Sequence, residues 1–162
     1  MTTRHPKQSL HAKYMWNILD HKRLVAKHVQ RVANALFGRA VVHDYSKFGP
    51  EEFDAYAGNL PYFEAAKYGS EEYKAACERI RPAMQHHVTS NRHHPEYFPD
   101  GINGMNLIDL VEMVCDWLAA SQRVPGDSVH LDIQQKRFGI DPQLMRIIEN
   151  TVAFLQSPQS EE

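Results

Sequence analysis

Residues 40–53 read AVVHDYSKFGPEEF. Three apolar residues lead into the adjacent pair His43-Asp44, and Lys47 and the Glu51-Glu52 pair follow. Neighbouring His and Asp side chains both reach one divalent cation where a helix ends or bends, so this stretch predicts a helix terminus that carries chemistry. Gly49-Pro50 then predicts a new helix start, with Pro at its first position and acids in its first turn. That helix is expected to reach Tyr56, with an aromatic-rich loop over 58–69.

Upstream, Tyr14, Ile18, Val25, Val29, Val32 and Leu36 recur at threes and fours, which predicts a helix from Leu10 to about Leu36 ended by Gly38. Downstream, Ser70 caps a helix that opens with Glu71 and Glu72 and turns Ala75, Ala76, Ile80, Met84 and Val88 inward. Pro82 predicts a break within it. RHHPEYFPDGING reads as a loop. Asn106 and Asp109 form a cap pattern before LIDLVEMVCDWLAA, whose apolar positions include Leu107, Leu110, Val111, Val114 and Leu118. A turn-rich link over 121–130 follows. Asp141-Pro142 starts a last helix with Leu144, Ile147, Ile148, Thr151 and Leu155 in one stripe. No segment alternates as a strand. The expectation is an all-α single domain of five to seven helices over residues 10–156, with a flexible lead at 1–9 and a frayed tail at 157–162.

The length of 162 residues suits one domain with its own core. A net charge of -2 and scattered basic residues give no clear nucleic-acid surface. Cys77 and Cys115 lie far apart without ligand spacing, which suits a reduced, cytoplasmic protein. No stretch reaches the ~18 apolar residues of a membrane span. Exposed aromatics and the last helix leave room for a homodimer.

Ten histidines are present, and four of them stand in HHVTSNRHH, residues 86–94. His87 and His94 are spaced i, i+7, as are His86 and His93 on a neighbouring face. Which member of each adjacent pair meets a metal is open from the residues alone, and the other is a substrate contact or a supporting donor. His21 and His28 share a helix face and offer a further imidazole. Asp109, Glu112 and Asp116 form an acidic stripe. A carboxylate at Asp116, within an apolar helix, is costly unless paired or metal-bound. Such a nitrogen and oxygen set suits one or two divalent ions of Fe, Mn, Zn, Co or Ni rather than Mg alone. Lys47 and Arg92 are candidate anion holders.

These residues resemble the HD superfamily of metal-dependent phosphohydrolases, which carry an early His, a His-Asp doublet and a late Asp on separate helices. VVHDYSKF is similar to that superfamily's apolar-HD-x-x-K run, with Ser46 where glycine is usual. LDHKRLV, HDYSKFGPEEFDAY, HHVTSNRHHPEYF and LVEMVCDW look closer still to a small HD-like family of bacteria and phages without a settled activity. The resemblance covers about residues 14–120. It implies His21, His43, Asp44, His87, His94 and Asp116 as metal ligands, with His28 the alternative to His21. Asp44, Lys47, His86 and Arg92 are the catalytic candidates.

The implied activity is hydrolysis of a small, nucleotide-like phosphomonoester or phosphodiester by metal-activated water, on an HD-like helical bundle. An HD-type diiron oxygenase, which shares a set of four His and two Asp, is the second expectation. A metal-stabilised binding or regulatory protein is the third. Tyr62, Phe63, Tyr68, Tyr97 and Phe98 are candidates for stacking on a base.

Overall fold

The computed structural model describes residues 9–67, 69–123 and 128–158. Tyr68 and part of the expected link over 121–130 lie outside these. The described residues form seven α-helices and no strand, the all-α fold that the periodicity predicts. The chain divides into two compact units, Met1–Gly38 and Arg39–Glu162.

Helix α1 spans Leu10–Val42 and supplies the secondary structure of the first unit. Gly38 does not end it. A mid-helix glycine costs only ~1 kcal/mol relative to alanine, and the apolar Ala40-Val41-Val42 run carries the helix on. The helix stops at His43-Asp44, where Asp44 adopts a left-handed φ of 57°. Aspartate is among the few residues that tolerate this conformation. A 3-10 turn, Tyr45–Phe48, follows.

In the second unit, α2 spans Phe53–Ala65, later and longer than predicted. Pro50 sits in a preceding turn, where Gly49 O accepts from both Glu52 N and Phe53 N. Gly58, Asn59 and Pro61 read as loop residues, yet all three are helical. Tertiary packing outweighs their weak propensity: buried Asn59 donates Nδ2 to Ala76 O at 2.9 Å and ties α2 to α3. α3 (Glu71–Arg79) opens on Ser70, whose side chain accepts from Tyr73 N. The break predicted at Pro82 occurs, and α4 spans Arg81–Ser90 with that proline in its first turn.

The RHHPEYFPDGING segment is two 3-10 turns, Pro95–Tyr97 and Gly101–Gly104. α5 (Leu107–Gln122) starts with the predicted Asn106/Asp109 capping box. α6 (Leu131–Phe138) has no side-chain cap at its start and lies outside the helices the sequence predicts; Lys136 and Arg137 in its last turn and the left-handed Gly139 close it. α7 spans Pro142–Gln156 behind the Asp141 cap.

The apolar core lies where α5, α6 and α7 meet, around Val114, Leu118, Ile140, Met145, Ile148 and Val152. Trp117 stacks on Phe138 beside it, with ring centroids 6.2 Å apart. Burying each large side chain there contributes ~1.5–3 kcal/mol. Two expected stripes shift in register. On α7, Met145 and Val152 are buried, whereas Ile147 and Leu155 are exposed. On α5, Leu107 is exposed and Met113 is among the most buried residues. This core fixes the inner face of α5, and that helix carries the acidic stripe into the site.

Candidate metal centre

Four pieces of the second unit meet here. The turn after α1 supplies His43 and Asp44. α4 supplies His86 and His87. The segment after α4 supplies His93 and His94, and α5 supplies Glu112 and Asp116. Pro95 holds His94 in an extended conformation, φ -102° and ψ 130°, so helical spacing does not apply to the last two histidines.

Three imidazoles converge on one oxygen. The Nε2 atoms of His87 and His93 each lie 3.3 Å from Asp44 Oδ1, and that of His43 lies 3.6 Å away. His43 Nε2 also lies 3.4 Å from Asp116 Oδ1. The His94 ring centroid is 4.8 Å from that of His87 and 4.2 Å from that of His93. Asp44, His87, His93 and His94 present donor atoms within 4.8 Å of one another, and so do His43, Asp44 and Asp116. A third such group is His43, His93 and Glu112.

The far sides of these rings meet carboxylates. His87 Nδ1 lies 2.9 Å from Glu52 Oε2, and His86 Nδ1 lies 2.8 Å from Glu52 Oε1. Glu112 Oε1 lies 3.0 Å from His43 Nδ1 and 3.4 Å from His93 Nδ1. Arg39 pairs with both Glu112 and Asp109. Arg92 makes a two-point pair with Asp109, Nε to Oδ1 at 3.0 Å and Nη2 to Oδ2 at 2.9 Å. Lys47 Nζ lies 2.6 Å from Asp44 Oδ2 rather than on Glu51.

The electrostatics follow from this packing. Hydrogen bonding to Asp116 is the largest influence on His43; it outweighs burial and, helped by Glu112, raises the imidazole pKa to about 9. Burial opposes the charge on Asp44, but the contacts with His93 and Lys47 prevail and hold its carboxyl well below the usual range. Burial likewise opposes the charge on Asp116, and His43 overcomes it. Burial lowers His87, and burial with the neighbouring His93 and His87 pushes His94 down to about 3. The last two rings are therefore neutral near pH 7, the state in which an imidazole ligates metal.

The residues fit a bound cation. Asp44 Oδ1, His93 Nε2 and His94 Nε2 are all buried and make no hydrogen bond. Buried polar atoms left without partners are costly, and a cation is a group that would satisfy donors clustered within 4.8 Å of one another. The donors are nitrogen and oxygen only, which suits borderline transition ions. Cys115 is exposed and belongs to none of the metal-capable groups among the described residues.

Of the predicted site residues, the second unit brings together His43, Asp44, His87, His94 and Asp116, with Lys47 on Asp44. His86 sits behind His87 on Glu52. Arg92 sits on Asp109. His21 and His28 are exposed on α1 in the first unit. His93, buried at the middle of the cluster, is not among the ligands that the resemblance implies. The run of four histidines was the only signal for it. Glu52 read as a helix-start acid and Glu112 as part of a stripe, so their contacts with the rings had no signature. A groove of about 290 Å³, lined by Tyr62, Ala65, Ala66, Glu72, Ala75, Ala76 and Arg79, contains none of the cluster residues.

Fold and site define an all-α protein with a cluster of His and Asp side chains capable of chelating a metal ion. The chain belongs to the family of unknown function DUF5662, whose model matches residues 10–154. No curated protein and no solved structure matches it. Among the described residues no helix is long and apolar enough to cross a membrane.

Proposed function

We propose that this protein is a metal-dependent phosphohydrolase of the HD type, acting on a small, nucleotide-like phosphomonoester or phosphodiester. The convergence of three imidazole Nε2 atoms on Asp44 Oδ1, within 3.6 Å, carries this reading. In it, Asp44, His87, His93 and His94 would hold one ion, and the group His43, Asp44 and Asp116 could hold another. A bound cation supplies Lewis acidity toward a phosphoryl oxygen and lowers the pKa of water. Lys47, partly exposed beside Asp44, balances phosphoryl charge. Arg92 contributes charge from its pair on Asp109. His86, behind His87 on Glu52, supports that carboxylate rather than the reacting group.

The test is elemental analysis of protein purified without a metal-binding tag, followed by anaerobic assay against phosphomonoesters, phosphodiesters and nucleotides. Turnover that disappears with chelator and with Asp44→Asn supports hydrolysis. One observation favours a second reading: the cluster alone offers four imidazoles and two carboxylates, the set that HD-type diiron oxygenases carry. Two bound irons with oxygen consumption, and no anaerobic turnover, would establish that chemistry. Metal binding with neither activity would leave a binding or regulatory module.

A further inference from the structure

We infer that Glu52 is the positioning residue that fixes the His87 ring for metal. This inference rests on the metal-centre reading above. Glu52 is fully buried, at 0% exposure, in the turn before α2. Among the described residues no Lys or Arg pairs with it; its two oxygens go to two adjacent histidines. Oε2 meets buried His87 Nδ1 at 2.9 Å, and Oε1 meets partly exposed His86 Nδ1 at 2.8 Å.

A neutral imidazole carries one proton, and a carboxylate facing Nδ1 holds that proton there. The lone pair is then on Nε2, the atom that lies 3.3 Å from Asp44 Oδ1. Ser46 Oγ, 3.3 Å from the same Nδ1, is held by Asn91 Nδ2 at 2.7 Å and steadies this side of the ring. Metal-binding histidines generally donate their second nitrogen to a carboxylate, and losing that partner weakens metal affinity about 10–100-fold. Adjacent His86 and His87 thus divide labour across one carboxylate. The inner ring presents Nε2 to the centre, and the outer ring closes Glu52 off from solvent.

Three variants separate this role from a tie between α2 and α4. Glu52→Ala should weaken zinc affinity about 10–100-fold. Glu52→Gln keeps a carbonyl oxygen for His87 Nδ1–H and should recover most of that loss. His86→Ala leaves the Glu52–His87 contact in place and should leave zinc affinity within about threefold of wild type. Nitrogen-15 NMR of the chelator-treated protein reads the tautomer without metal. His87 should carry its proton on Nδ1 in wild type and Glu52→Gln, and lose that preference in Glu52→Ala.

Wild type that holds the Nδ1 tautomer but takes up no zinc defeats the metal reading and leaves the positioning role standing. Unchanged zinc affinity and tautomer in Glu52→Ala overturn the inference. So does an equal loss of zinc affinity in His86→Ala. If Glu52→Ala does not fold, Glu52→Gln and His86→Ala decide by the same readouts.

Discussion

His93 Nε2 lies 3.3 Å from Asp44 Oδ1, and neither atom has a hydrogen bond. A buried pair in this state is explained by a third group between neighbours. His93→Ala should therefore weaken metal binding by more than ~100-fold, beyond the range for supporting residues. His43→Ala and Asp116→Ala should also lose metal while the helical circular dichroism signal is retained. Elemental analysis reads all three, and unchanged stoichiometry in His43→Ala and Asp116→Ala would remove the proposed centre.

Asp109 ties the acidic helix to two cations. It is fully buried, accepts from Arg39 and Arg92, and closes the capping box by accepting from Asn106 N at 3.1 Å. Asp109→Ala strands two guanidinium groups and removes a cap. The expected cost is ~3 kcal/mol, at the low end for a broken buried pair because both arginines are partly exposed. Arg92→Lys keeps the charge but loses the two-point fork, and ~1 kcal/mol is expected. Urea unfolding checks both. Equal, negligible losses would show that the network is not stabilising.

His43 gives the pH dependence its sign. Its pKa in the metal-free protein is raised from 6.5 to about 9, first by Asp116. A raised pKa stabilises the fold while the proton is bound. That contribution is fully present below about pH 6.5 and is lost as pH rises through about 9. Metal must displace the same proton, so metal affinity should climb across this window. Unfolding of chelator-treated protein from pH 6 to 10 tests the first statement, and competition titration tests the second. Asp116→Asn should move the stability loss toward neutral pH. A flat profile in wild type would contradict the assignment.

The α7 register provides a test remote from the centre. Ile148 is 3% exposed and Ile147 is 55% exposed, although the two are adjacent. Ile148→Ala should cost ~2–5 kcal/mol, and Ile147→Ala should stay within about 0.5 kcal/mol. Thermal or urea unfolding of the two variants separates them, and comparable losses would mean that the core lies on another face.

That adjacency also marks where sequence reading reaches its limit. Helix existence was legible where periodicity or a cap marked it, as at Asn106, Ser70 and Asp141, and not at α6, which has no side-chain cap. Facing was not, because Leu144, Met145, Ile147 and Ile148 offer more than one stripe, and the core around Met145, Ile148 and Val152 chooses one. The centre behaved alike. His43-Asp44 marked itself by being a polar doublet at an apolar helix end. His93 could not be told from His94, since the chain leaves the helix before Pro95 and helical spacing lapses. Glu52 lay hidden for a further reason: an acid after Gly-Pro has a helix-start role ready to explain it.

His21 against His28 is the remaining choice on the ligand side. Both are exposed on α1 in the first unit, one face and seven residues apart. The HD resemblance favours His21 as the early ligand. The second unit by itself offers four imidazoles and two carboxylates. On that resemblance His21→Ala should lower the metal stoichiometry and His28→Ala should leave it unchanged. Elemental analysis reads both variants. The reverse result would exchange the two residues, and full retention in both variants would make the second unit the whole site.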